Sequence, residues 1–263
     1  MPLTALTRPP RANILGVGVH ALNMRRAVEL VHRSVSTGMK GYICVTGVHG
    51  VMEARRSAEF RSILDRAFLV TPDGMPTVWV GKLQKHSQMG RVFGPELMFN
   101  VCRASVLERH SHFFYGGKPG VANELQANFE RWLPGLRILG TYSPPFRALN
   151  REEKIHLKES LAVLKPDIIW VGLSTPKQER FMADMIDELD CKLMIGVGAA
   201  FDMHTGRLSD APGWMKRSGL QWMHRLYQEP RRLWKRYLLN NSAFLWHLSL
   251  QACKMRRYDL TSA

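Results

Sequence analysis

Five short segments of the sequence combine glycine with hydroxyl or charged side chains, and each follows an apolar run that is typical of a buried strand. They are residues 46–49, 71–74, 116–120, 172–179 and 196–202. In an open parallel sheet, ligands bind outside the carboxyl ends of the strands, so residues at these positions are the first candidates for chemistry. Several such segments at one edge of a sheet favour a nucleotide-binding site.

Two of these segments are turns that lead directly into helical patterns. Residues 116–120 precede a helical pattern at Val121, and residues 174–178 open another at Lys177. Backbone N–H groups at the start of a helix can approach phosphate oxygens, and the helix dipole favours negative charge there. Neither turn has the spacing GxGxxG or GxxxxGK[ST], and Gly196-Val197-Gly198 lacks a third glycine. Each turn is therefore compatible with a phosphate cradle or with an ordinary tight turn.

Asp73 is the carboxylate that is best placed to act as a general base. It follows an apolar strand pattern and precedes Gly74, a position where a partly desolvated cleft would raise the pKa of a carboxyl group. The position also suits a helix N-cap, because Met75 and Pro76 follow and proline favours the first helical turn. Local sequence alone leaves both interpretations open.

The elements that must position these residues alternate between strands and helices. Strands are predicted at residues 14–19, 42–46, 67–71, 112–115, 136–142, 168–171 and 192–197. Helices are predicted at residues 22–34, 48–65, 75–85, 95–108, 121–132, 152–164 and 177–189. This alternation predicts an α/β fold, with a Rossmann-like parallel sheet and helices on both faces, over a catalytic domain of residues 1–205.

A basic helical appendage is predicted at residues 206–263. Two helical patterns, 219–229 and 231–255, are separated by Pro230, which ends or kinks the first of them. From Arg207 to the end, the sequence has 11 basic and three acidic residues. In the second pattern, basic residues lie away from a face of leucine and aromatic residues, which is typical of a helix that lies on a membrane surface.

Charge and cysteine content limit the class of protein further. There are 37 Lys and Arg against 22 Asp and Glu, a net charge of +15, which indicates an acidic or phosphorylated partner. The four cysteines form no CxxC pair, so neither a zinc site nor a disulfide framework is predicted. No apolar run reaches the roughly 18–20 residues of a spanning helix, and the N-terminal apolar run has no cleavage site. We therefore expect a cytoplasmic protein that is not exported.

Six motifs give the sequence a family resemblance that covers about residues 41–237. They are TPDGMP (71–76), RVFGPELM (91–98), YGGKPGVA (115–122), GLSTPKQE (172–179), GVGAAFD (196–202) and the long APGWMKRSGLQWMHRLYQEPRRLWKRY (211–237). On these motifs the sequence resembles the TagA/WecG/CpsF glycosyltransferases, which are glycosyltransferase family 26. The last motif is the most specific of the six because of its length.

The resemblance implies a GT-E-like fold and an inverting hexosyltransferase. Such an enzyme moves a sugar from a UDP-sugar to an undecaprenyl-diphosphate-linked sugar in cell-surface polysaccharide or exopolysaccharide biosynthesis. The sugar is N-acetylmannosamine, its uronic acid or glucose. The resemblance further implies a peripheral protein on the cytoplasmic face of the bacterial inner membrane, and apolar surface on the appendage would allow a homo-oligomer.

The resemblance also assigns roles to individual residues. Asp73 falls on the catalytic base. Thr46, Arg91 and Gln178 fall on nucleotide-sugar positions, to which the glycine-rich segments add Gly116, Gly117 and Gly198. The family commonly has Asn two residues after the threonine, where this chain has Val48, so His49 is expected to serve instead. The appendage arginines expected to meet the diphosphate are Arg217, Arg225 and Arg232.

No metal or other cofactor is expected. No DxD motif follows a predicted strand, and His110 and His112 have no third ligand at metal spacing. We therefore expect arginines and backbone N–H groups to stabilise the leaving diphosphate. Two other classes remain as alternatives: a nucleic-acid-binding protein, which the charge would suit, and a nicotinamide-dependent dehydrogenase, which lacks its complete fingerprint here.

Overall fold

The computed structural model describes residues 7–260 of the chain. The strands are β1 (Arg11–Ile14), β2 (Val17–His20), β3 (Gly41–Thr46), β4 (Leu69–Pro72), β5 (Ser111–Gly116), β6 (Arg137–Tyr142), β7 (Ile168–Gly172) and β8 (Leu193–Gly196). The helices are α1 (Met24–Ser36), α2 (Val48–Arg56), α3 (Ala58–Arg66), α4 (Met75–Leu83), α5 (Gly94–Glu108), α6 (Val121–Trp132), α7 (Arg151–Leu164), α8 (Lys177–Met185), α9 (Ala200–His204), α10 (Gly213–Arg217), α11 (Gln221–Gln228) and α12 (Pro230–Ala252).

A six-stranded parallel sheet flanked by helices confirms the predicted α/β class. Its strand order is β4-β3-β8-β7-β5-β6. Strand β5 is buried along its whole length and pairs in parallel with both β6 and β7. Burial of a strand on both faces explains why its sequence is a nearly continuous apolar run rather than an alternating pattern.

The prediction of a single first strand at residues 14–19 is wrong. This segment contains the turn of an antiparallel hairpin, in which β1 pairs with β2 as a separate two-stranded sheet. Leu15 and Gly16 form the turn with positive φ angles of 54° and 87°, and the side chain of Asn13 accepts a hydrogen bond from the Gly16 N–H at 2.7 Å. A two-residue turn of this kind suits the twist of a hairpin. The hairpin was not predicted from the sequence because its turn residues, Leu15 and Gly16, are not polar, so residues 14–19 look like one apolar strand.

The chain divides into two compact units. The first unit contains Arg25–Ile43 and Gly94–Leu208, and the second contains Arg8–Met24, Cys44–Phe93 and residues 209–260. The C-terminal helices therefore share a unit with the segment that carries Asp73. The predicted domain division into residues 1–205 and 206–263 stays a prediction.

Helices α11 and α12 confirm the break predicted at Pro230, since α11 ends at Gln228 and α12 begins at Pro230. Helix α12 packs on α2, and its buried residues Leu233, Asn240 and Phe244 lie at helical spacing on one face. No helix among residues 7–260 combines the length and the apolar character needed to cross a membrane.

Candidate functional site

The ends of β3 and β4 place Thr46 and Asp73 side by side in the second unit. The Asp73 N–H donates to the Thr46 carbonyl oxygen at 3.0 Å. The backbones approach so closely that a Cβ at Gly47 would lie 2.6 Å from the Asp73 carbonyl oxygen. Glycine is therefore required after Thr46, and this close approach fixes Asp73 at the carboxyl edge of the two strands.

Asp73 is not the N-cap of α4, so that interpretation of its position is wrong. The N-cap is Gly74, which has a φ of 103° and no side chain that could accept a hydrogen bond from the helix. A φ in this region strongly favours glycine, which moves the cap one residue beyond the carboxylate. Asp73 therefore precedes the cap, and its side chain is partly buried.

Arg91 is tied both to the end of β4 and to the C-terminal helices of the second unit. Its neighbour Val92 donates its N–H to the Pro72 carbonyl oxygen at 2.8 Å. The Arg91 guanidinium lies over the Phe93 ring and donates to Gln221 Oε1 at 2.6 Å. Gln221, the first residue of α11, is a partner that the sequence analysis did not identify.

His49 contacts helix α12 rather than standing alone at the strand end. Asn240 is buried, and its Nδ2 lies 3.0 Å from His49 Nδ1. Arg56 donates to the other end of the same amide, Asn240 Oδ1, at 2.6 Å. Because Arg56 can only donate, the amide must donate to His49, which places the His49 proton on Nε2 in the neutral ring. The role of His49 toward a nucleotide sugar stays a prediction.

Two of the three appendage arginines converge on one carboxylate. Arg225 and Arg232 both donate from Nη2 to Glu229 Oε2, at 2.5 and 2.6 Å. Arg217 is exposed at the last residue of α10. Glu229 was missed as a site residue, although its position among many basic residues was a usable signal.

Asp73 and the appendage arginines all act on the pKa of one buried side chain, Tyr237. Burial raises the pKa of its phenol, the cations of Arg225, Arg236 and Arg232 oppose this shift, and the Asp73 carboxylate adds to it. The phenol ring also packs near Trp222, with centroids 5.7 Å apart. The second unit therefore brings a strand-end carboxylate and a group of guanidinium groups into the same neighbourhood.

In the first unit, the glycine-rich turn after β5 requires its glycines. Gly116 has a φ of 138°, and a Cβ there would lie 2.6 Å from the Gly172 carbonyl oxygen. Gly117 has a φ of 75° and donates its N–H to the same oxygen at 3.2 Å. Gly120, in the left-handed region, is the N-cap of α6. This backbone is shaped as a phosphate cradle requires, but it is also held by its own hydrogen bonds, so the phosphate role stays a prediction.

Gln178 is buried in the first unit and holds the turn after β8. Its Oε1 accepts the Gly198 N–H at 2.9 Å, and its Nε2 donates to Glu179 Oε1 at 3.1 Å. The same Glu179 oxygen accepts from the Thr175 hydroxyl at 2.8 Å. Burial raises the pKa of Glu179. The carboxamide of Gln178 therefore has a structural function in the turn, beside the ligand contact that is predicted for it.

No group of three or more His, Cys, Asp or Glu side chains within residues 7–260 is arranged to hold a metal ion. This observation does not test whether the reaction needs a metal, so the expectation of metal-independent activity stays a prediction.

A parallel α/β sheet with glycine turns at its strand ends, a strand-end carboxylate and nearby arginines is typical of enzymes that act on phosphorylated substrates. The family described as glycosyl transferase WecG/TagA/CpsF matches residues 12–258 of this chain. The protein therefore belongs to the WecG/TagA/CpsF family of glycosyltransferases. Family membership confirms the resemblance. It favours a glycosyltransferase over the two alternatives considered from the sequence, a nucleic-acid-binding protein and a nicotinamide-dependent dehydrogenase.

Two curated relatives support this assignment. An N-acetylglucosaminyldiphosphoundecaprenol N-acetyl-beta-D-mannosaminyltransferase of Bacillus spizizenii (strain W23) is 30% identical over 200 residues, which cover 76% of each chain. A protein of the same name from Bacillus subtilis (strain 168) is 26% identical over 185 residues, which cover 70% of each chain.

Proposed function

We propose that this enzyme transfers N-acetylmannosamine from a UDP-sugar to N-acetylglucosamine linked to undecaprenyl diphosphate. Both relatives carry a name that describes this acceptor and this sugar. The structural observation that carries the proposal is the position of Asp73 beside Thr46 at the ends of β3 and β4, with Val92, the neighbour of Arg91, bonded to the end of β4. Transfer of the uronic acid of N-acetylmannosamine or of glucose is the nearest alternative.

In the proposed mechanism, Asp73 is the general base. It removes the proton from the acceptor hydroxyl while that oxygen attacks the anomeric carbon, opposite the departing UDP. One carboxylate is sufficient because a single displacement forms no covalent intermediate, and the configuration at the anomeric carbon is inverted. The appendage arginines offset the negative charge that develops on the leaving diphosphate, as charge-assisted hydrogen bonds do efficiently.

The remaining predicted residues keep their proposed roles. Thr46, His49, Arg91, Gly116, Gly117, Gln178 and Gly198 are proposed to bind the nucleotide sugar. Arg217, Arg225 and Arg232 are proposed to meet diphosphate, without an obligatory metal.

We also propose that the enzyme works as a peripheral protein on the cytoplasmic side of the inner membrane. Helix α12 exposes Trp234 and Trp246, with 48% and 63% of their surface accessible, and the leucines 238, 239 and 245 are exposed as well. Arg231 and Lys235 are exposed on the same helix. Aromatic and aliphatic side chains beside cations are suited to the boundary between lipid headgroups and acyl chains.

The proposed function is tested by UDP release with a panel of UDP-sugars and diphosphate-lipid-linked N-acetylglucosamine. We expect turnover with UDP-N-acetylmannosamine to exceed turnover with UDP-glucose and with the uronic acid donor. Preference for another donor would contradict the sugar assignment. Turnover with a lipid-free sugar equal to that with the diphosphate lipid would contradict the acceptor assignment.

A further inference from the structure

Glu229 occupies an unusual position at the junction of α11 and α12. It is the residue after the last turn of α11 and also the N-cap position of α12. Side chains at an N-cap often accept a hydrogen bond from the helix, but the Glu229 side chain makes no such bond. Its Oε2 instead accepts from both Arg225 and Arg232. The carboxylate is therefore committed to the two arginines rather than to the helix.

The two guanidinium groups need an anion between them. Both Nη2 atoms lie within 2.6 Å of a single Glu229 oxygen, so without this charge two cations would face each other at close range. The Arg225 side chain is only 13% exposed, which makes the repulsion less screened than on an open surface. Glu229 thus stabilises an arginine pair that would otherwise be strained electrostatically.

Arg225 has a second donor that Glu229 does not use. Its Nη1 is buried and has no hydrogen-bond partner among residues 7–260. A buried donor without an acceptor is costly, and a guanidinium binds phosphate best through two parallel N–H groups. A diphosphate offers several oxygens, so it could satisfy Nη1 and also take the Nη2 groups that Glu229 now holds.

On the basis of the proposed function, we propose that Glu229 is the internal counter-ion of the Arg225 and Arg232 pair, and that a diphosphate replaces it there. In the empty enzyme, Glu229 keeps the two arginines together. When diphosphate binds, the carboxylate and the ligand compete for the same donors, which lowers the affinity of the site. A moderate affinity favours release of the UDP product after transfer.

The test is a titration of the full chain with inorganic pyrophosphate by calorimetry, together with thermal melting at each ligand concentration. Glu229→Gln removes the competing charge, so we expect its affinity for pyrophosphate to rise about tenfold. Glu229→Asp keeps the charge but shortens its reach, so its affinity should lie between those of wild type and Glu229→Gln. Without ligand, Glu229→Gln should melt below wild type, and pyrophosphate should raise its melting temperature by more.

Glu29 provides the matched control on α1 of the first unit. Its Oε1 also lies between two arginines of one helix, 2.7 Å from Arg26 Nη1 and 3.6 Å from Arg33 Nη1, but Glu29 is 46% exposed. Glu29→Gln should leave pyrophosphate affinity unchanged.

Affinity equal to or weaker than wild type in whichever Glu229 variant folds would overturn the proposal, and so would a lack of pyrophosphate binding by wild type. A lower melting temperature without tighter binding would indicate a structural role only and would also overturn it. Because neither donor nor acceptor sugar is present, the result is independent of the donor panel. Failure of that panel alone contradicts the proposed function and leaves the counter-ion result standing.

Discussion

The two units use polar residues at their strand ends in opposite ways. In the first unit, Gln178 and Glu179 are almost completely buried, and their polar atoms bond mainly to each other, to Thr175 and to the Gly198 backbone. In the second unit, Asp73 is only partly buried, and the nearby cations converge from helices of the C-terminal segment.

This difference indicates two kinds of contribution to the enzyme. The buried network around Gln178 stabilises a fixed backbone shape, because each lost hydrogen bond leaves a buried polar group without a partner. Only Glu179 Oε1 takes part in it, since Glu179 Oε2 is buried without a hydrogen-bond partner among residues 7–260. Partly exposed charges can instead exchange their partners for a ligand. We therefore propose that the second unit supplies the charged groups of the transfer reaction, and that the first unit supplies rigid turns that bind the nucleotide sugar.

The largest expected effect is on turnover in Asp73→Asn. Loss of a general base should lower kcat by about 10²–10⁴-fold. The variant should stay folded, because asparagine has nearly the shape of aspartate and the contact with Thr46 uses the backbone of residue 73. Steady-state kinetics and urea unfolding of the same preparation separate the two quantities. Turnover close to wild type would remove Asp73 from the mechanism.

For Gln178→Leu in the first unit, we expect the main effect on stability. The Gly198 N–H and Glu179 Oε1 each lose a buried partner, so the free energy of unfolding should fall by about 2–4 kcal/mol. Gln126→Leu is the control, because Gln126 makes an exposed hydrogen bond with Glu130 on α6 of the same unit. Urea unfolding checks both variants. A loss no greater than that of the control would contradict the structural function of Gln178.

The strand-end positions could be predicted from sequence because local patterns determine them. Apolar runs followed by glycine and polar residues placed Thr46, Asp73 and Gln178 at strand ends, and Pro230 predicted the break between the C-terminal helices. Several local features were missed: the hairpin turn at Leu15, the short helices α9 and α10, and the division of residues 48–65 into α2 and α3. This division occurs because the Ser57 side chain caps α3 by accepting the Phe60 N–H at 3.1 Å.

The partners of the site residues could not be predicted, because they come from distant parts of the chain. Gln221 lies 130 residues from Arg91, and Asn240 lies 191 residues from His49. No local pattern encodes such pairs, which depend on how α11 and α12 pack. Glu229 is different, since it lies four residues after Arg225 and three residues before Arg232, and this spacing was visible in the sequence.

Each unit also contains a buried histidine that should make stability depend on pH. Burial lowers the pKa of His112 in the first unit and of His20 in the second to about 3. Below pH of about 6.5 the unfolded chain takes up protons that these native rings do not, so stability falls as pH falls toward 3. Each ring contributes up to about 1.4 kcal/mol per pH unit.

Urea unfolding at pH 7.5, 6.5 and 5.5 checks this prediction. His112→Gln and His20→Gln should each flatten the dependence on pH, and the double variant should flatten it most. The same slope in wild type and in both variants would show that other groups cause the acid sensitivity.

The smallest expected effect concerns the membrane surface. Arg231→Gln on α12 should weaken binding to vesicles with anionic lipid about fivefold at low salt, since one cation near such a surface contributes about 1 kcal/mol. Arg103→Gln, an exposed change on α5 of the first unit, should leave binding unchanged. Vesicle co-sedimentation measures both. Equal losses in the two variants would indicate attraction to the whole protein rather than to α12.

The central claim is that the sugar is transferred in a single displacement, for which one carboxylate, Asp73, is sufficient as the base. The most direct test is the anomeric configuration of the sugar in the product, determined by NMR after transfer from an α-linked UDP-sugar. The mechanism predicts a β linkage in the product, because the acceptor oxygen attacks opposite the departing UDP. An α-linked product would contradict this mechanism, since attack opposite the leaving group inverts the anomeric carbon.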